Sequence, residues 1–246
     1  MGFFARLAKR GISYTPYRVS RSAPNRFDAM ASCLETLKRQ GFRPGRVIDC
    51  GAHVGDFSRT ASALFPAARI DLVDPQPAVR ERLQALAAAH GFRFHPVGVS
   101  DRSGTARMVV SAGPDTGAHL AWPGQSIAGD QQAVDVEIAT LDSLFATELS
   151  PSDRVLLKLD LQGHDLRALQ GATRMLPFVE VLIVEVAVYL PGLPCVPEMI
   201  DFMTSHDFLF FDVAALSARR RDDRLRHCDL VFVRAGSALL LDVAWA

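Results

Sequence analysis

V-I-D-C-G-A-H-V-G-D-F-S, residues 47–58, is the stretch whose reading decides the fold. Two apolar residues, Val47 and Ile48, run into an acid, the chain crosses two glycines, and a helical pattern begins near Asp56. A buried parallel strand delivers its C-terminal end to a ligand in this way. Gly51 has no Cβ, so a flat ligand can lie against its backbone, and Gly55 lets the following helix pack close to the strand. A dinucleotide fingerprint G-x-G-x-x-G starting at Gly51 needs glycines at 53 and 56. His53 and Asp56 stand there, and the His53 side chain would crowd a pyrophosphate. An NAD(P)-binding oxidoreductase is therefore the rival reading and not the first.

Outward from this loop the pattern of strand, acid and helix recurs. Residues 69–73 read as a buried strand ending at Asp74, roughly 20 residues past the glycine loop, where a carboxylate can accept two hydrogen bonds from a ribose diol. The alternative for Asp74 is N-capping of a helix over residues 77–90. Residues 92–99 alternate as a third strand, and the turn S-D-R-S-G at 100–104 reverses the chain into a strand over 106–110. Ser100 and Asp101 stand where either an adenine edge or an ordinary turn would use them. Residues 111–132, rich in Gly, Pro, Ala and Ser and carrying His119 and Trp122, read as a lid over the substrate. Residues 134–138 alternate as a half-exposed strand.

The second informative stretch is V-L-L-K-L-D-L-Q-G-H-D-L-R-A-L-Q-G-A, residues 155–172. A buried strand carries Lys158, ends at Asp160 and is followed by a helix from about Asp165. Residues 179–188 form a further apolar strand. Its Glu185 costs free energy unless it is paired or faces a wet cavity, and Lys158 on the neighbouring strand is the expected partner. Upstream, Phe27, Met30, Leu34 and Leu37 recur at helical spacing, with Asn25 as cap and Gly41 as stop. Downstream, a helix over 197–206 and strands over 208–213 and 229–234 suggest an antiparallel hairpin closing an otherwise parallel sheet. The charged residues 219–226 between those strands read as a solvated loop.

With 246 residues, 49% hydrophobic and 22% charged, the chain suits one domain over residues 26–246, preceded by a basic extension at 1–25. The formal net charge of zero argues against nucleic acid as a partner. The extension mixes Phe3, Phe4 and Leu7 with Arg6, Lys9 and Arg10, which allows peripheral membrane contact, although a frayed or self-packed terminus is the favoured reading. Cys33, Cys50, Cys195 and Cys228 show neither C-x-x-C pairing nor zinc-finger spacing. No metal is expected, and reduced thiols point to the cytoplasm. No uncharged apolar run approaches the roughly 18 residues of a membrane span, and the apolar start is too short for a signal peptide.

Asp49, Gly51 and Gly55 are spaced as in motif I of class I methyltransferases, with His53 in place of the middle glycine. The blocks V-I-D-C-G-A-H-V-G-D-F-S, D-L-V-D-P-Q-P, V-G-V-S-D-R-S-G, T-L-D-S-L, L-K-L-D-L-Q-G-H-D-L-R-A-L-Q-G-A and C-D-L-V-F-V-R together resemble, in order, the FkbM family of methyltransferases dependent on S-adenosyl-L-methionine (SAM). The resemblance covers residues 27–234. It implies a Rossmann-like class I methyltransferase α/β fold, with a mostly parallel seven-stranded sheet, helices on both faces and a C-terminal antiparallel hairpin. It also implies SAM as cofactor and O-methylation of a hydroxyl on a small-molecule acceptor, either a sugar or glycan or a natural product. Asp49, Gly51 and Gly55 would then hold the methionine half of SAM, with Ala52 and His53 in the same loop. Asp74 would hold the ribose and Ser100 with Asp101 the adenine end, while Asp160 would face the methyl group. His164 departs from the residues usual at its position.

A hydroxyl is a poor nucleophile until it loses its proton, so a base within hydrogen-bond reach is required. Asp160, His164 and Glu185 are the candidates. A metal-assisted version using Asp160 and Glu185 lacks a third ligand. Nucleic-acid amino-methylation is disfavoured because the strand ends in D-L-Q-G and not in a motif of the N-P-P-Y type. A non-catalytic scaffold that retains the fold is the remaining rival.

Overall fold

The structure is a computed structural model that describes residues 30–111, 115–122, 124–127, 129–190, 192–218 and 222–241. The basic extension and the expected helix start at Asn25 and Phe27 lie outside the described residues, as do residues 219–221 of the charged segment. The first helix, α1 (Met30–Arg39), buries Leu34 and Leu37 on one face. It ends where Gly41 takes φ 91 and the Phe42 amide donates back to the Leu37 carbonyl, a turn that only a residue free of Cβ strain adopts cheaply.

The main sheet is assembled from β1 (Arg46–Cys50), β2 (Arg69–Val73), β3 (Arg93–His95), β8 (Val155–Leu159), β9 (Val179–Ala187), β10 (Phe208–Ala218) and β11 (Leu225–Arg234). Its order is β10-β11-β9-β8-β1-β2-β3. The run from β9 to β3 pairs in parallel, and β11 enters antiparallel between β9 and β10. This is the mostly parallel class I methyltransferase sheet with a C-terminal antiparallel hairpin that the resemblance implies.

Strand alternation sorts the apolar side chains onto two faces. Val47, Leu156, Val181 and Ile183 pack with residues of α1, α2 (Asp56–Leu64) and α3 (Arg80–His90). Ile48, Leu157, Leu159, Leu182 and Val184 pack on the opposite face with α4 (Leu141–Phe145), α5 (Asp165–Gln170) and α6 (Val196–Ser205). Full burial of each such side chain contributes about 1.5 to 3 kcal/mol. A slip of one residue would exchange the two faces, so the register is fixed, and with it the edge at which the strands end.

A second sheet has the order β4-β7-β5-β6, built from β4 (Gly98–Val99), β5 (Gly104–Val110), β6 (His119–Leu120) and β7 (Gln132–Ala139). Here the structure corrects the single strand expected over residues 92–99. β3 joins the main sheet and β4 the second, and the break falls at Pro96, which has no N–H to donate to a ladder. Met108, Leu120, Val136 and Ile138 form the small core of this sheet, so part of the expected lid is ordered sheet. The last two strands are also longer than expected. β10 shifts register between Phe210 and Asp212 and again between Val213 and Ala215, which breaks the period of two on which a strand is recognised. Among the described residues no helix is long and apolar enough to cross a membrane.

Candidate active site

The parallel strands end along one edge, which gathers the loop after β1, the tip of β2 and the tip of β8. Gly51 has φ 76, and a Cβ on it would stand 2.0 Å from the Asp160 carbonyl oxygen. The glycine loop and the end of β8 therefore meet backbone to backbone. The Gly51 and Ala52 amides both donate to the Val73 carbonyl, at 2.9 and 3.2 Å, tying the loop to β2 as well.

Asp74 sits at this junction with 5% exposure. One carboxylate oxygen accepts from the His53 amide at 2.7 Å and the other from the Gln76 amide at 2.8 Å. Burial raises its pKa against the pull of those two amides. A cleft opens beside it, walled by Gly51, His53, Asp74, Asp160, Gln162 and His164, with Val99, Met108, Leu120 and Leu161 as apolar sides. Gln76 clips the far wall in place. Its side-chain amide donates to the Asp115 carbonyl and accepts from the Asp115 amide, both at 2.9 Å. A second cleft, bounded by Met30, Ala52, Phe57 and Lys158, shares the walls Gly51, His53 and Asp160 with the first.

Asp49 does not line the first cleft. It is fully buried beneath the glycine loop, where it accepts from Ser58 Oγ at 2.6 Å and lies 3.3 Å from Lys158 Nζ. Lys158 also donates to the Gly51 carbonyl at 3.1 Å and lies 3.5 Å from Asp160. Burial works against the Lys158 charge, yet the Asp49 and Asp160 carboxylates hold its pKa above the ordinary value. Gly55 is likewise a packing residue, since a Cβ there would meet Leu86 of α3 at 2.2 Å.

Ser100 and Asp101 sit beside His164 and not on the cleft wall itself. Ser100 Oγ is 2.9 Å from His164 Nε2 and donates to Asp101 at 2.9 Å. With the Ser100 proton committed to Asp101, His164 Nε2–H is the donor to Ser100, which leaves Nδ1 as an acceptor. Burial, reinforced by the Arg167 charge, lowers the His164 pKa to about 4, so the imidazole is neutral at physiological pH.

The expected pairing of Glu185 with Lys158 is not formed. The register sets Lys158 opposite Ile183, and Glu185 lies beyond the last residue of β8. Gln162 takes the partner's place, its amide nitrogen donating to Asp160 Oδ1 at 3.0 Å and to Glu185 Oε2 at 2.9 Å. Burial first, and then the Asp160, Asp165 and Asp229 carboxylates, push the Glu185 pKa up to about 9. Asp229 stands directly opposite Glu185 across the β9–β11 pair, with its own pKa raised to about 6 by burial.

The family model described as the methyltransferase FkbM domain matches residues 49–210, well over half of the chain. The chain belongs to this family. SAM is the cofactor of the FkbM domain. No curated protein sequence matches the chain. Among solved structures it is similar to a methyltransferase FkbM from Methylobacillus flagellatus, with 14% identity and a TM-score of 0.47 over 77% of this chain and 43% of that one. The chain thus spans less than half of that protein. It is also similar to magnesium protoporphyrin IX methyltransferase from Synechocystis with bound SAM, at 14% identity and a TM-score of 0.49 over 84% of this chain and 78% of that one. The N1-methyltransferase of 1,6-didemethyltoxoflavin from Burkholderia thailandensis shares 15% identity over 95% of this chain and 89% of that one, with a TM-score of 0.45.

The residues of this FkbM domain fit a nucleoside-bearing cofactor. Each Asp74 oxygen accepts one backbone amide and keeps a lone pair for a diol hydroxyl. His53 Nε2 and His164 Nδ1 are buried without a hydrogen-bond partner, and both residues line the first cleft. Val99, Met108 and Leu161 supply flat apolar sides for a base. Sequence reasoning missed Gln76, Gln162, Asp165 and Asp229. Asp165 accepts from the Leu161 and Gly163 amides at 3.0 and 3.1 Å and so holds the loop that carries Gln162. All four stand inside the blocks that carry the resemblance, in D-P-Q-P, L-Q-G-H-D and C-D-L-V-F-V-R, and for Gln76, Gln162 and Asp165 a polar residue close to a strand-end acid was the available signal.

Proposed function

We propose that this chain is a SAM-dependent O-methyltransferase acting on a hydroxyl of a sugar, glycan or natural-product acceptor. The observation that carries this reading is the convergence of Asp74, Gly51 and Asp160 on one cleft within an FkbM domain. Bound there, SAM supplies a methyl carbon activated by a sulfonium. Asp74 accepts the ribose hydroxyls, Gly51 gives close backbone approach, and His164, held neutral by burial and the Arg167 charge and oriented by Ser100, lines the adenine end as an acceptor. Asp160, which borders both clefts, takes the acceptor's proton. Lys158 and Gln162 fix its two oxygens. Alignment of nucleophile and methyl can supply about 7 to 11 kcal/mol, and proton removal by a positioned base about 100- to 10,000-fold.

The test is a calorimetric titration with SAM, followed by incubation with candidate glycans and hydroxylated natural products and mass detection of a methyl gain. Asp160→Asn is expected to bind SAM and to lose about 100- to 10,000-fold in kcat; full activity in that variant removes Asp160 from proton transfer. NADH binding without SAM binding would favour the oxidoreductase. SAM binding with no methyl gain on any acceptor class would favour the scaffold.

A further inference from the structure

We propose that Asp160 and Glu185, bridged by Gln162, form a charge sensor that distinguishes the sulfonium of SAM from the neutral thioether of the product, S-adenosylhomocysteine. This rests on the cofactor reading above and adds a regulatory property to the same cleft. Asp160 and Gln162 stand on the wall of the first cleft, while Glu185 is held behind them by the same amide nitrogen that holds Asp160. Gln162 keeps φ 53, a conformation costly to a residue with a Cβ, and in that conformation its side chain spans the two carboxyl groups.

The surroundings leave this pair short of positive charge. Lys158 of β8 is the near cation, and it is already shared with Asp49 of β1. Asp165 of α5 and Asp229 of β11 add further carboxyl groups around Glu185. His227 of β11 lies 3.9 Å from Glu185, and burial lowers its pKa, so it brings no charge at neutral pH. Glu185 accordingly carries a proton in the ligand-free protein. A sulfonium arriving at Asp160 supplies the missing cation. The Glu185 carboxyl then gives its proton to solvent and becomes a carboxylate, and no bond of the cofactor changes. After methyl transfer the sulfur is neutral, the carboxyl recovers a proton from solvent, and the product is held less tightly than the donor.

The experiment is calorimetric titration of the full chain at about pH 8, in two buffers of different ionisation enthalpy, with SAM and with S-adenosylhomocysteine. SAM is expected to release on the order of half a proton more than S-adenosylhomocysteine and to bind about tenfold tighter. In Glu185→Gln the extra proton release disappears, and in Gln162→Ala the affinity ratio falls toward one while both ligands still bind. Equal proton counts for the two ligands in the unaltered protein, or extra release that persists in Glu185→Gln, overturns the sensor. Failure of both ligands to bind the unaltered protein overturns the cofactor reading itself, a distinguishable result.

Discussion

Gly51 shows at the scale of one residue how far the sequence could be read. Its place after a strand and an acid identified a loop needing no Cβ, and the structure supplies the reason, a left-handed φ and the Asp160 carbonyl where the Cβ would stand. Gly51→Ala is expected to lower stability by at least about 2 kcal/mol through backbone strain and displacement of β8, read as a fall in the urea midpoint at unchanged slope. An unchanged midpoint would mean that the two backbones separate freely. The position of Asp74 was equally legible: a strand-end acid after a glycine loop serves either a ribose or a helix cap, and Asp74 lies on the wall of the first cleft. Glu185 was not. The spacing points to a partner on the neighbouring strand, but the side chain that reaches it, Gln162, comes from the loop beyond β8, and sequence distance gives no measure of such a reach.

At the scale of elements, hydrophobic patterning located the strands of the main sheet but not their sharing between two sheets. Residues 92–99 do form strand on both sides of Pro96, and only the missing N–H marks where the chain leaves one sheet for the other. Residues 111–132 read on composition as a lid over the substrate. Asp115, Thr116 and residues 118–120 of this segment line the first cleft, where Gln76 clips Asp115 through two hydrogen bonds to its backbone. Gln76→Ala is expected to leave the main sheet intact and to raise amide exchange at residues 115–120 by about tenfold or more, since one to two hydrogen bonds worth about 1 kcal/mol each are lost. SAM affinity falls in the same variant if the clip shapes the cleft. Unchanged exchange at those residues would show that the second sheet holds the wall without it.

At the scale of the whole molecule, the two ends of the sheet respond to pH in opposite senses. At the end away from the cleft, Arg46 and Asp71 form an ion pair in which each side chain is 1% exposed, joined by Arg93 and His95. Burial alone would raise the Asp71 pKa, but hydrogen bonds from His95, Arg46 and Arg93 hold it well below the carboxylate range. Its stabilisation is present above the unfolded pKa and is lost only in strong acid.

At the cleft end the carboxyl groups are shifted upward, Glu185 from 4.5 to about 9, Asp165 from 3.8 to about 7 and Asp229 from 3.8 to about 6. Between the ordinary and raised values the folded state binds more protons than the unfolded one, so stability falls as pH rises through that window. Thermal stability of the ligand-free chain is therefore expected to be highest near pH 5 and to decline toward pH 9. Each kcal/mol lost should lower Tm by about 2 to 4 °C for a chain of this size. Glu185→Gln carries no titrating proton at that position and should flatten the decline above pH 7. Saturating SAM should flatten it as well, because the added cation favours the ionised carboxylate that high pH produces. A Tm that stays level or rises between pH 5 and 9 in the unaltered protein would mean that the carboxyl groups at the strand tips find solvent or a cation without the cofactor.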